Sequence, residues 1–163
     1  MTDYFALLAQ PRKPWLDPDQ LREEFRRRVK IEHPDAATSS LGSGDAFADL
    51  NTAYRVLTDA SSRLAHLLEL SGEKVGPISQ PPVELSDLFF STGSAIDQLR
   101  AGHSSPAEAQ LQKLQALQAT TIESLRGIAQ TDTAAIKRAH EKLSYFDRWI
   151  AQLRERLLER TLG

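Results

Sequence analysis

The chain has 163 residues with 20 Lys and Arg against 22 Asp and Glu, a formal charge of −2. That balance excludes a globally basic nucleic-acid binder, and the absence of cysteine excludes disulfides, thiol catalysis and thiolate zinc sites. No apolar run approaches the roughly 20 residues of a membrane span. The opening residues lack the basic start and apolar stretch of a signal peptide, so the sequence predicts a cytoplasmic protein without a membrane partner. Abundant Ala, Leu, Gln, Glu and Arg with 7% aromatic residues favour an all-α fold.

In chain order, Tyr4, Phe5, Leu7 and Leu8 make a short apolar turn that Pro11 ends. Asp17-Pro18-Asp19-Gln20 combines a cap, a proline at the first helical position and a glutamine three residues after the cap, which predicts a helix running to about Glu32. Leu21, Phe25 and Val29 share one face of it. Arg22, Arg26, Arg27, Arg28 and Lys30 must point elsewhere, leaving one apolar and one cationic side. Pro34 stops the helix, and residues 36–44 (AATSSLGSG) read as a flexible loop. Asp45 is expected to cap a second long helix carrying Phe47, Leu50, Ala53, Tyr54 and Leu57. Asp59 or Ser61 begins a further helix with Leu64, Leu67, Leu68 and Leu70, closed by Gly72.

Residues 72–83 (GEKVGPISQPPV) hold two glycines and three prolines and read as a linker between an amino-terminal module, 1–71, and a second module, 84–163. The second module is expected to be a three-helix bundle. Glu84 to about Arg100 forms its first helix, ended near Gly102; Ser105-Pro106-Ala107-Glu108 starts the second with Ser105 as cap. Thr131 or Asp132 caps the last, whose apolar positions Ile136, Ala139, Leu143, Phe146, Ile150, Leu153 and Leu157 alternate at spacings of three and four. Such a seven-residue repeat marks a helix packed lengthwise against its neighbours.

The tripeptide His33-Pro34-Asp35 is by itself no more than a helix stop. In context, Phe25 to Asp35 resembles the second helix and signature loop of a J-domain, and Phe47 to Arg63 resembles its third helix, with the AY-x-VL-x-D pattern at Ala53, Tyr54, Val56, Leu57 and Asp59. Asp3 to Leu8 is similar to the start of that fold, and the resemblance covers about residues 3 to 71. It implies a co-chaperone that docks on a DnaK-type chaperone and stimulates its ATP hydrolysis. Carried over by position, His33, Pro34 and Asp35 form the triggering loop, and Arg26, Arg27 and Lys30 the basic positions that meet the chaperone. Ala36 and Ala37 stand where many J-domains have a basic residue.

The second module narrows the resemblance. Arg63 to Gly72 resembles the exit from the J-domain in HscB-type co-chaperones, Ser86-Asp87-Leu88-Phe89-Phe90 the start of their bundle, and Lys142 to Asp147 part of its last helix. That implies an iron–sulfur cluster scaffold protein as client, with Leu88, Phe89 and Phe90 at apolar positions of the client face, Asp97 at an acidic one and Tyr145 at an aromatic one. Three successive residues on a helix span roughly 200°, so Leu88, Phe89 and Phe90 cannot all face one core stripe. Ser91, Thr92, Gly93, Ser94 and Ala95 stand where the family has a more acidic, longer-side-chain surface. The alternative reading is a helical adaptor, or a specialised J-protein for another client, with weak or lost stimulation of ATP hydrolysis.

Catalytic chemistry finds no footing. His66 and His140 lie near apolar faces and read as core residues, His103 as a loop residue, and no His pair at i, i+4 spacing has a nearby carboxylate. No nucleophile–base set or phosphate loop stands out, so the sequence predicts a protein that is not an enzyme, with no metal and no cofactor.

Overall fold

The structure, a computed structural model, describes residues 1–32 and 43–162. Among the described residues it is all-α, with seven helices and no strand: α1 (Tyr4–Leu7), α2 (Pro18–Glu32), α3 (Ser43–Thr58), α4 (Ala60–Leu70), α5 (Ser86–Arg100), α6 (Ser105–Ser124) and α7 (Thr133–Leu162). Single 3₁₀ turns at Val83–Leu85 and Leu125–Gly127 precede α5 and follow α6. The chain forms two compact units, Met1–Val75 with Ile128–Ile136, and Gly76–Gly127 with Lys137–Gly163. The backbone therefore passes between units three times, not only within residues 72–83. A break in composition marks where helical periodicity stops; it does not say which segment folds on which.

Most boundaries follow from local chemistry. Asp17 accepts hydrogen bonds from the backbone N–H of Asp19 (2.9 Å) and Gln20 (3.3 Å), Asp59 from Ser62 (2.8 Å), and Asp132 from Ala135 (3.0 Å). Gly72 and Gly102 end α4 and α5 at φ +83° and +106°, and the next N–H reaches back to a carbonyl five residues earlier, Glu73 to Leu68 and His103 to Gln98. Both closures need a left-handed residue, which glycine supplies without strain.

Three starts differ from the sequence reading. α3 begins at Ser43, so Asp45 lies inside the first turn, where its charge meets the positive helix end, and does not cap it. Ser104 occupies the cap position of α6 without a side-chain bond, which moves Ser105 into the helix. The start of the second module, expected at Glu84, is a 3₁₀ turn over Val83–Leu85, and the α-helix proper begins at Ser86.

In the first unit α2 and α3 run antiparallel. Leu21 and Arg22 near the start of α2 line one small cavity, about 60 Å³, with Tyr54 and Thr58 near the end of α3, and Phe25 stacks on Tyr54 at 4.2 Å. The shorter α1 and α4 pack on α3 and supply Phe5, Leu64 and Leu67 to a core shared with Leu21, Leu50 and Leu57. Two buried polar side chains tie this core to the amino-terminal segment. Arg63 is buried, and its guanidinium donates from Nε to the Pro14 carbonyl (2.8 Å) and from Nη1 to the Leu57 carbonyl (2.6 Å). Loss of water pushes its pKa down to about 10, with Asp59 pulling the other way. His66 accepts a hydrogen bond at Nε2 from the Tyr4 N–H (3.2 Å) and lies against the Tyr4 and Phe5 rings. Burial lowers its pKa, against the pull of Asp3 and Glu69. An Nε2 that accepts is unprotonated, so this imidazole is neutral.

In the second unit α5 packs on α6, and Gln110 of α6 donates to the Ser91 and Thr92 hydroxyls of α5, both at 3.0 Å. The repeat on α7 faces inward: Ala139, Leu143, Phe146, Ile150 and Leu153 are buried, and Leu157 is half-buried. At the far end Arg160 donates to the carbonyls of Leu99 (3.1 Å) and Gly102 (2.6 Å), placing a cation on the negative end of α5. At the near end Lys142 pairs with Glu84 at 2.7 Å. The Ile78 carbonyl in the proline-rich segment lies 3.5 Å from both the Tyr145 hydroxyl and an Arg148 nitrogen.

Candidate functional site

The outer face of α2 is a shallow groove of about 530 Å³ lined by Asp19, Arg22, Glu23, Arg26, Arg27 and Lys30. These positions recur at helical spacing opposite Leu21 and Phe25, so burial of the apolar stripe alone brings them together. The charges are not evenly spent. Arg22 pairs with Asp19 at 3.2 Å, which quiets the beginning of the helix. Glu24 binds Arg27 (2.6 Å) and Arg28 (2.7 Å), and first Arg27 and then Arg28 hold its carboxyl down at about 2.

Of the three basic positions named from the sequence, Arg27 is thus half-committed within its own helix. Arg26 and Lys30 are exposed and, among the described residues, carry no ion pair. The free positive charge sits on the last two turns of α2, immediately before His33. His33, Pro34 and Asp35 lie outside the described residues, as do the helix stop assigned to Pro34 and most of the loop at 36–44.

A second surface of a different kind lies on α5 and α7. Phe89 is 47% exposed and Phe90 70%, in edge contact at 5.5 Å, while Leu88 is half-buried. The three consecutive apolar residues divide as the 100° helical step requires. Both phenylalanines line a groove of about 670 Å³ with Gly93, Asp97, Gln98, Trp149 and Gln152. Asp97 is exposed and bonded to Arg100 at 3.1 Å.

Tyr145 does not reach this surface. It is 3% exposed and packs on Trp149 at 5.2 Å, with Arg148 over its ring, so it supports the groove from beneath. Trp149, which the sequence reading missed, is the residue that links Tyr145 to Phe89 (6.4 Å); its signal was its position one turn after Tyr145. Thr92 and Ala95 are buried and belong to the core, Ser91 is half-buried and bonded to Gln110, and Gly93 and Ser94 are the exposed part of that run. Gly93 in mid-helix weakens α5 by about 1 kcal/mol relative to alanine.

The DnaJ domain family matches residues 3–66, the part of the chain that carries α1 to α3 and the cationic face. The amino-terminal module is a DnaJ domain. Among curated relatives, the chaperone protein DnaJ of Acaryochloris marina is 36% identical over 61 residues, covering 37% of this chain and 16% of that protein. DnaJ 2 of a Synechocystis species is 29% identical over 80 residues, covering 49% and 24%. The chain thus spans less than a quarter of the length of these relatives.

Among solved structures, the chaperone HscB from Vibrio cholerae superposes with a TM-score of 0.76 at 26% identity, covering 99% of this chain and 100% of that one. Human co-chaperone HscB superposes at 0.70 with 19% identity, covering 99% and 83%. The DnaJ domain is therefore joined to a carboxy-terminal bundle in an HscB-type architecture, as the sequence resemblance implied. Among the described residues no helix is long and apolar enough to cross a membrane, and no three His, Asp or Glu side chains cluster as a metal site would need.

Proposed function

We propose that this chain is a co-chaperone in which the DnaJ domain docks on a DnaK-type chaperone and stimulates its ATP hydrolysis, while the bundle holds a client, an iron–sulfur cluster scaffold protein. The observation that carries the first half is the exposure of Arg26 and Lys30, which among the described residues carry no ion pair, a few positions ahead of His33-Pro34-Asp35 in the sequence. Exposed cations on a rigid helix accelerate encounter with an acidic surface and fix its register. The ATP and its chemistry belong to the partner, so His33 acts as a contact and not as a proton carrier. The client half is supported by Phe89 and Phe90, which are far more exposed than folding alone favours.

The test is ATP turnover by a DnaK-type chaperone with and without the full chain. Stimulation is expected, and its loss in His33→Gln. Equal turnover with and without the chain rejects the proposal in favour of a helical adaptor. The small, uncharged pair Gly93 and Ser94 in the groove favours a second reading, a specialised J-protein serving another client. Failure of the scaffold protein to bind, with stimulation intact, would select it.

A further inference from the structure

Gly93 is, among the described residues, the one glycine in the interior of an α-helix, and nothing in the fold asks for it. Its φ is not positive, and a Cβ built there meets no atom within 4 Å. Neither a turn nor a close internal contact explains a residue that weakens the helix. What the missing side chain leaves is a notch in the groove, one helical turn after Phe89 and Phe90 and one turn before Asp97. Among the described residues Asp97 is the only charged one lining that groove, and it is bonded to Arg100 in an exposed pair. A carboxylate entering there would lose water without meeting a cation in the lining, and a cation would have to compete with Arg100 for Asp97.

We propose that Gly93 determines which client the face accepts: the notch receives one bulky, uncharged side chain, of leucine, methionine or phenylalanine size, from the docked protein. The inference rests on the client reading above and deepens it. Phe89 and Phe90, one turn earlier in the same groove, supply apolar contact, and the bare backbone at Gly93 lets the incoming group approach more closely than any other residue would. A carboxylate at the same place finds no cation in the lining, and a lysine or arginine must displace Arg100 from Asp97, so the site selects by exclusion as well as by fit.

The experiment is a calorimetric titration of an iron–sulfur cluster scaffold protein into the full chain and into Gly93→Leu, Gly93→Ala and Phe90→Ala. Thermal melts and ATPase stimulation without client control for folding. Filling the notch with leucine is expected to weaken binding at least tenfold and alanine two- to threefold, with melting temperatures equal to or above that of the unaltered chain. Affinity of the unaltered chain should change less than twofold between 50 and 500 mM NaCl. If Phe90→Ala weakens binding while Gly93→Leu stays within twofold, the notch is overturned and the client reading stands. A steep salt dependence overturns the uncharged occupant. If the unaltered chain does not bind the scaffold at all, the client reading falls and this inference falls with it.

Discussion

The outer face of α2 and the groove on α5 and α7 are surfaces of opposite kinds. The first is a row of charged side chains on a helix whose inner stripe holds the core, so its residues have little to do with stability. Its attraction is long-ranged and falls with salt over a screening length of about 8 Å at physiological ionic strength. The second presents two phenylalanines, backed by Trp149 and Tyr145, with one paired carboxylate nearby. Its attraction acts only at contact, through apolar area removed from water. In the co-chaperone proposed above, the first kind of surface would serve to find one partner quickly and the second to hold another steadily.

The largest expected effect comes from reversing the free charges. Arg26→Glu with Lys30→Glu should weaken chaperone association about 100-fold, about 2.7 kcal/mol, at low salt. The loss should shrink toward tenfold at 500 mM NaCl while the melting temperature stays put, read by titration at both salt concentrations. A loss that ignores salt would mean these residues act through shape, and the contrast between the two faces would fail. Arg27→Glu should cost less, because Arg27 already spends part of its charge on Glu24.

The aromatic surface should answer differently. Phe89→Ala with Phe90→Ala should weaken client binding about tenfold to thirtyfold, by the same factor at 50 and 500 mM NaCl. ATPase stimulation measured without client should be unchanged. Trp149→Ala would give a less clean answer, because Trp149 is buried and its removal also opens a cavity beneath the face.

The smallest effect concerns pH. The lowered pKa of His66 means the unfolded chain binds its proton more readily than the folded one, so the stability it contributes is complete above about pH 6.5 and is lost as pH falls below that value. Denaturant melts should show the DnaJ domain weaker at pH 5 than at pH 8, and His66→Gln should flatten that part of the profile. Glu24 works at much lower pH: its depressed carboxyl contributes fully above about 4.5 and ceases to contribute as pH drops through about 2. Client binding through the aromatic groove should be level across pH 5 to 8.

Much of this was readable from the chain because it depends on neighbours in sequence. Asp17, Asp59 and Asp132 cap because a carboxylate before a free helical N–H has one obvious partner, and Gly72 and Gly102 stop helices for an equally local reason. The inward face of α7 was readable because seven apolar positions repeat the same spacing. Position on a helix could say that Leu88, Phe89 and Phe90 must diverge, but not that two of them would remain exposed. Local reading failed where the partner is distant: the hold of Arg63 on Pro14, 49 residues away, and of His66 on Tyr4, 62 residues away, leaves no periodic trace. The burial of Thr92, Ala95 and Tyr145 had the same cause, since α6 and the rest of α7 decide it.

The grip of Arg160 on the last carbonyls of α5 has a practical corollary. Two residues short of the end of α7, one guanidinium fastens the helix that bears both exposed phenylalanines. Preparations trimmed before that arginine, by a protease or by design, would leave the tail of α5 to fray and blunt the groove. Affinities for the proposed client measured on such shortened material would then come out too weak.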